Sequence, residues 1–279
     1  MIWIGGIAVL ILLFLAYGWL SNSKLEVNHH ALQISGELRK IEGLRIVQLS
    51  DLHGCRFGLH NEKLIHKIEE EKPDVILITG DMIVKDGKGM ADCLGLCQYL
   101  TKQCTVYYSI GNHEGSCEDW EQLEDDLTAC GVIILDNEKS LIEVGKDSIW
   151  IYGLTIPEES YDAFWKRRKV DVSFLQEELG EPEGHPVLLM AHNPDFFPVY
   201  ANWGADVVFS GHNHGGIMKL GHRGAVAPSF ILFPKYSGGI YSEKDSQMVL
   251  SRGLGTHHIR LRFFNNPEIC VVTLTQKKG

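Results

Sequence analysis

The chain has 279 residues, 44% of them hydrophobic and 22% charged, which is enough apolar material for a sizeable core and excludes a disordered chain. A formal net charge of -10 and a pI near 5.7 exclude a general nucleic-acid binder, which needs a basic face to displace counterions from phosphates. A local basic pocket for one phosphate remains compatible with that balance.

Residues 2–20 contain no charged side chain. At about 1.5 Å per residue they just reach across a hydrocarbon core roughly 30 Å thick. This predicts a transmembrane anchor over residues 1–22, a connecting segment over 23–43 and a catalytic domain over 44–279, with the protein held at the cell membrane by a single pass. A cleaved signal peptide is the rival, because Ala16-Tyr17-Gly18 offers a small-x-small site, but no basic residue precedes the apolar run. A buried core helix is the third option. Lys24, Arg39 and Lys40 weakly favour a cytoplasmic domain by the positive-inside rule. The seven cysteines (Cys55, Cys93, Cys97, Cys104, Cys117, Cys130 and Cys270) form neither a disulfide framework nor a paired C-x-x-C pattern. Cys93 and Cys97, four apart in a helical stretch, read as small buried hydrophobes.

From residue 44 onward short apolar runs alternate with amphipathic stretches of helical length, the pattern of a sheet with crossover helices. The run 44–50 leads into Asp51-Leu52-His53, and 61–72 follows with Leu64, Ile65 and Ile68 at helical spacing. The run 74–79 ends in Gly80-Asp81, a helix is expected over 90–102, and 105–110 ends in Gly111-Asn112-His113-Glu114. A helix over 120–130 precedes a strand at 132–135 and a hairpin at 141–144 and 149–154. Residues 157–185 suit a surface excursion ending in a helix at Leu179. The run 186–191 ends in His192-Asn193-Pro194, and 207–210 runs into Gly211-His212-Asn213-His214-Gly215-Gly216. Strand-like runs at 248–250, 259–263 and 269–274 complete the tail. No internal repeat, low-complexity segment or dividing linker is present.

Alone, the His212/His214 pair is compatible with metal ligation and with a solvated turn. Five strands, however, end in residues able to hold a metal: Asp51 and His53, Asp81, Asn112 with His113, His192, and His212 with His214. Ligands bind beyond the C-terminal ends of strands in α/β sheets, and a buried carboxylate or imidazole there is costly unless paired or coordinated.

In order, Asp51-Leu52-His53, Gly80-Asp81, Gly111-Asn112-His113-Glu114, His192 and Gly211-His212-Asn213-His214 resemble the calcineurin-like metallophosphoesterase family, whose blocks read D-x-H, G-D, G-N-H-[D/E], H and G-H-x-H. Through Ala191-His192-Asn193-Pro194, Gly215-Gly216 and Ser251-Arg252-Gly253-Leu254-Gly255 the chain looks most like a bacterial membrane-anchored branch. The resemblance covers about residues 44–275. It implies a four-layer α/β/β/α sandwich, two mixed sheets face to face with helices outside, hung from the N-terminal transmembrane helix. It implies two divalent ions, one on Asp51, His53, Asp81 and His214 and the other on Asp81, Asn112, His192 and His212. Oxygen and imidazole ligands without thiolate suit manganese, iron or zinc, with manganese favoured and calcium a poor match. His113 is implied as the catalytic group near the leaving oxygen, and the reaction as in-line hydrolysis at phosphorus.

The implied substrate is a phosphodiester or pyrophosphate. An anchor would favour lipid-linked or cell-envelope precursors of the UDP-2,3-diacylglucosamine kind, an extension by analogy. The alternatives are a protein or small-molecule phosphomonoesterase of the same superfamily and a non-catalytic, metal-stabilised scaffold. The chain departs from the pattern at Val84, where many members carry an aspartate that orients the catalytic histidine, and at Ile217, where the anchored branch often has a polar residue. Solvated or substrate-rim roles are expected of His29-His30 and His257-His258, and surface positions of His60, His66, His185 and His222. Trp165-Lys166-Arg167-Arg168-Lys169 suits either an anionic interface or a plain solvated helix face.

Overall fold

Strands that are apolar on both faces set the centre of each sheet, since a parallel strand covered from both sides has no polar face to show. In the computed structural model, which describes residues 2–34, 42–144, 147–161, 170–184, 186–221, 223–226, 232–256 and 259–276, these are the central strands. The strands are β1 (Glu26–Ile34), β2 (Arg45–Leu49), β3 (Val75–Ile78), β4 (Thr105–Ser109), β5 (Ile133–Leu135), β6 (Glu138–Val144), β7 (Asp147–Leu154), β8 (Val187–Ala191), β9 (Val207–Ser210), β10 (Met218–Leu220), β11 (Arg223–Val226), β12 (Gly239–Glu243), β13 (Ser246–Leu250) and β14 (Glu268–Gln276). The helices are α1 (Ile2–Ser21), α2 (Glu62–Glu71), α3 (Met90–Leu100), α4 (Asn112–Gly115), α5 (Trp120–Ala129), α6 (Val172–Leu179) and α7 (Phe197–Trp203).

One six-stranded sheet has the order β1-β14-β2-β3-β4-β5 and the other β12-β13-β9-β8-β7-β6. Both are mixed: β2 to β5 run parallel while β14 pairs antiparallel with β2, and β7, β8, β9 and β13 run parallel between the antiparallel β6 and β12. Three apolar layers lie between four structural ones. Ile76 and Ile78 pack outward on Leu64 and Ile68 of α2, Leu96 of α3 and Leu123 of α5. Ile46, Leu77 and Tyr107 face Leu188, Met190 and Phe209 across the gap between the sheets. Leu189 and Val208 pack outward on Leu175 of α6 and Tyr200 and Trp203 of α7. The α/β/β/α order expected from the sequence is therefore present.

The membrane anchor is not. Helix α1 forms, yet among the described residues no helix is long and apolar enough to cross a membrane. The run was already at the minimum length, and its last turns are docked on the domain: Phe14 stacks on Phe263 with ring centres 4.2 Å apart, Tyr17 leans on Phe264, and the Gly18 carbonyl accepts from the Arg262 amide at 3.0 Å. That finding overturns the transmembrane helix, the single-pass membrane location and the membrane partner assigned to residues 2–20.

Residues 23–43, read as a connecting segment, contain β1, which pairs in parallel with β14 from Glu26↔Glu268 to Ile34↔Gln276. The run 259–263 forms no strand; Phe263 makes only an isolated bridge to Met218. Its neighbour Arg262 turns into the protein instead and is 2% exposed. The basic run 165–169 and His185, His222 and His257-His258 lie outside the described residues.

Candidate metal centre

The strand ends named above converge. Asp51 and His53 follow β2, Asp81 follows β3, Asn112 and His113 open α4 after β4, His192 follows β8, and His212 and His214 follow β9. Because β2 and β3 lie in one sheet and β8 and β9 in the other, all eight residues gather where the two sheets open at their C-terminal edges. Asp51, His53, Asp81, His212 and His214 all have positive φ, between 47° and 72°. Left-handed backbone is uncommon outside glycine and costs energy at each position. Five instances in one site show that the loops are folded around the side chains they must aim.

The distances define two groups and a third that links them. Asp51, His53 and His214 have ligand atoms within 4.8 Å of one another, as do Asp81, His192 and His212, and a third group, His53, Asp81 and His113, joins them. His53 Nε2 lies 3.1 Å from His214 Nε2 and 3.8 Å from Asp81 Oδ2, while His192 Nε2 is 3.1 Å from that same oxygen. His214 Nε2 is 3.4 Å from Asp51 Oδ1. All but Asn112 and His212 are buried. The Asn112 Oδ1 atom is itself buried and has no hydrogen-bond partner among the described residues. A buried amide oxygen without a partner is costly unless a ligand satisfies it, and Asn112 precedes His113 of the cluster. These donors fit divalent metal ions. Seven of the eight named residues fall in these three groups, and Asn112 adjoins them in sequence through His113.

A second layer of contacts fixes the rings. His192 Nδ1 donates to the Thr79 carbonyl at 2.6 Å, and His214 Nδ1 donates to the Gly255 carbonyl at 3.2 Å, so each ring turns Nε2 to the site; the Asp81 and Asp51 carboxylates outweigh burial and push His192 up to about 10, a proton that a bound cation would displace. Asp51 accepts from the His212 amide at 3.0 Å and from Ser50 Oγ at 2.6 Å. Asp81 Oδ1 accepts from the His113 amide at 2.9 Å, leaving Oδ2 toward His53 and His192. Burial alone would raise the Asp81 carboxyl, but the imidazoles of His192, His53 and His113 outweigh it and hold it well below the usual carboxylate range. Burial likewise lowers His53 well below an ordinary imidazole, which favours the neutral, metal-binding form.

His113 is oriented without an aspartate at position 84. Its Nδ1 accepts from the Lys85 amide at 3.1 Å, which places the proton of the neutral ring on Nε2. The chain thus substitutes a backbone donor one residue on. Glu114, which closes the G-N-H-E block, is taken up by backbone amides. Its carboxylate accepts from the amides of Asp81 (2.7 Å), Met82 (2.8 Å) and Gly111 (3.1 Å) and from Tyr108 Oη (2.8 Å). It ties the β3 and β4 loops together. Burial and then the Asp81 carboxylate push it up to about 7.

Residues that motif reading missed complete the centre. Tyr161 sets its ring edge-on to His212, 5.0 Å between centres, and had no signal within a charged excursion. Arg262, fully buried, donates to the carbonyls of Arg252 (3.0 Å), Gly253 (3.2 Å), His214 (3.4 Å) and Gly255, so one guanidinium gathers both loops that carry or orient His214. His29 pairs with Glu71 at 2.7 Å on the surface. His30, Glu268 and Cys270 form one further cluster, but Glu268 is already paired with Arg252 and burial raises the Cys270 thiol well above its ordinary value.

A family model described as calcineurin-like phosphoesterase matches residues 44–216. The chain belongs to this family. The family uses divalent metal ions, and its membership makes the protein a hydrolase acting on phosphoesters. Over 94% of this chain and 96% of its own, the metallophosphoesterase YkoQ of Bacillus subtilis is 25% identical. The UDP-2,3-diacylglucosamine pyrophosphatase LpxG of Chlamydia muridarum is 25% identical over 83% of this chain and 84% of its own, and the phosphodiesterase YaeI of Escherichia coli 25% identical over 82% of each. Among solved structures, TT1561 of Thermus thermophilus shares the fold, with a TM-score of 0.50 at 12% identity over 76% of this chain and 90% of its own. Membership of a membrane-anchored branch finds no support in these relatives.

Proposed function

We propose that this phosphoesterase works with two divalent ions and cleaves phosphodiester or pyrophosphate bonds. Asp51, His53, Asp81 and His214 would hold one ion, and Asp81, Asn112, His192 and His212 the other, with Asp81 shared. The observation that carries this reading is the buried set of three His/Asp groups, Asp51/His53/His214 and Asp81/His192/His212 linked through His53/Asp81/His113, to which both sheets contribute. Two divalent ions so held supply Lewis acidity toward phosphoryl oxygens and lower the pKa of a water molecule toward neutrality. Manganese suits the mixed oxygen and imidazole set, with iron or zinc the other candidates.

The chain's own contribution is orientation and charge. The Thr79 and Gly255 carbonyls fix which nitrogen His192 and His214 present. His113, with Nδ1 engaged by the Lys85 amide, offers Nε2–H to the leaving oxygen as charge develops there. A hydrogen bond from a neutral ring stabilises a departing anion but is a poor proton donor, which favours leaving groups that depart as stable anions: activated esters, nucleotides and phosphoanhydrides. A substrate of that kind has precedent in the names of LpxG and YaeI.

The test is turnover of bis(p-nitrophenyl) phosphate in manganese, beside p-nitrophenyl phosphate and a phosphopeptide. The diester is expected to be cleaved faster than either monoester, and His113→Ala to lower kcat by roughly 100-fold. No turnover with any divalent metal points to a metal-stabilised scaffold and ends the hydrolase reading. A preference for phosphopeptide replaces it with a phosphomonoesterase.

A further inference from the structure

Tyr161 reaches the centre from a strand that carries no ligand. β7 runs parallel to β8 with Leu154 paired to Ala191, so the chain leaving β7 emerges beside His192. It soon turns into the one-turn helix Glu158–Tyr161, where the Ser160 amide donates to the Pro157 carbonyl at 2.9 Å. Ile156 and Ser160 are buried, and Tyr161 packs against the outer apolar layer that contains Leu175 and Tyr200. The same turn lies against α4, which opens with Asn112 and His113.

Three rings meet at the Asp81/His192/His212 group. Tyr161 is edge-on to His212, with ring centres 5.0 Å apart and planes at 60°, and tilted to His192 at 6.1 Å. His192 and His212 are themselves edge-on at 5.3 Å. The χ2 torsion of a histidine is broad and selects no ring plane by itself, so the neighbours must fix it. An edge-to-face contact does so, because it is lost when either ring rotates. The support matters most at His212, which is partly exposed and so enclosed by the protein on fewer sides than His192.

We propose that Tyr161 is a positioning residue of the metal centre: its ring fixes the planes of His212 and His192, and with them the affinity for the ion held together with Asp81 and Asn112. The role belongs to the ring and not to the hydroxyl. The proposal rests on the two-ion reading and adds to one of its two sites a residue that is not a ligand. Contacts that orient metal ligands are worth roughly 10- to 100-fold in affinity, and a single ring contact belongs at the lower end. The other group has a ring contact of its own, His53 stacked on His214 with centres 4.9 Å apart, so the effect is expected at one ion.

The experiment is calorimetric titration of the metal-free full chain with manganese, beside turnover of bis(p-nitrophenyl) phosphate across a range of manganese concentrations. Tyr161→Leu keeps apolar volume and loses the ring; it is expected to weaken one of the two binding steps by roughly tenfold, with turnover recovering at saturating manganese. Tyr161→Phe keeps the ring and is expected to restore that step. Tyr161→Met takes the place of the leucine variant if urea titration shows the latter unfolded. Two unchanged steps in a folded variant without the ring overturn the proposal, and equal weakening of both steps, the mark of a general loosening, overturns it as well. A phenylalanine variant as weak as the leucine one overturns it too, since the hydroxyl is then the group that acts. So does a loss of kcat in both variants that saturating manganese does not relieve, which puts the hydroxyl on the substrate. Fewer than two ions on the unaltered protein contradicts the two-ion reading itself, and the positioning role falls with it.

Discussion

Arg262 concentrates more of the site's order than any ligand does. A guanidinium with no carboxylate partner in direct contact among the described residues is tolerated in the interior because the carbonyls of five residues, His214, Arg252, Gly253, Gly255 and Asn265, accept from it, and burial followed by the neighbouring Arg252 pushes its pKa down only to about 10, so it keeps its charge at neutral pH. Arg262→Met removes the donor and strands those acceptors. It is expected to cost roughly 3 kcal/mol of stability and to weaken manganese binding by more than tenfold, read by denaturant titration and by calorimetry of the metal-free protein. Normal metal affinity in a folded variant would leave Arg262 a purely structural clamp. Gly255 makes the complementary point. A Cβ there would lie 2.1 Å from the Leu52 carbonyl, and its own carbonyl orients His214. Gly255→Ala should therefore push apart the loops after β2 and β13 and lower metal affinity more than global stability. Neither residue was legible in the sequence: Arg262 stands in a run that reads as a strand, and only the partner loops, distant in sequence, reveal what its guanidinium holds.

At the level of elements, what was legible follows from burial. Strands β2, β3, β4, β8 and β9 are apolar on both faces and end in polar ligands, so their positions and their functional ends could be read without a structure. The hairpin β10-β11, strand β12 and the edge strand β1 could not, although the run 248–250 marked the end of β13. β1 reads Glu-Val-Asn-His-His-Ala-Leu-Gln-Ile, with polar groups on both faces, and is held in place by pairing with β14 and by charge. Glu268 at the start of β14 is held at about 2 despite burial, by His30 of β1 and by Arg252. A carboxyl whose folded pKa lies below its ordinary 4.5 adds stability above that value and loses it as pH falls toward 2. The displacement corresponds to roughly 3 kcal/mol at neutral pH. Glu268→Gln is expected to lower stability at pH 7 by about that much and to flatten its acid limb between pH 4.5 and 2, which urea titrations at several pH values would show. An unchanged acid limb would mean that the β1 and β13 loop charges are not coupled through Glu268.

For the molecule as a whole, two sheets contribute ligands to one site, so metal binding and sheet packing are a single problem. Five of the eight named residues sit on left-handed backbone, which the folded domain must hold in place and which bound cations would stabilise by binding the native state alone. The family motif pointed to the strand ends that gather in the candidate centre; it could not report that the apolar N-terminal run docks on Phe263, because periodicity does not distinguish a helix facing lipid from one tied to its own domain. The most direct test of the two-ion account is metal content by mass spectrometry on protein loaded with manganese and dialysed, measured with bis(p-nitrophenyl) phosphate turnover on the same samples. Two ions per chain with turnover, and loss of both ions and of turnover in Asp81→Ala, is the predicted result; an Asp81→Ala protein that keeps two ions or keeps its activity would contradict it.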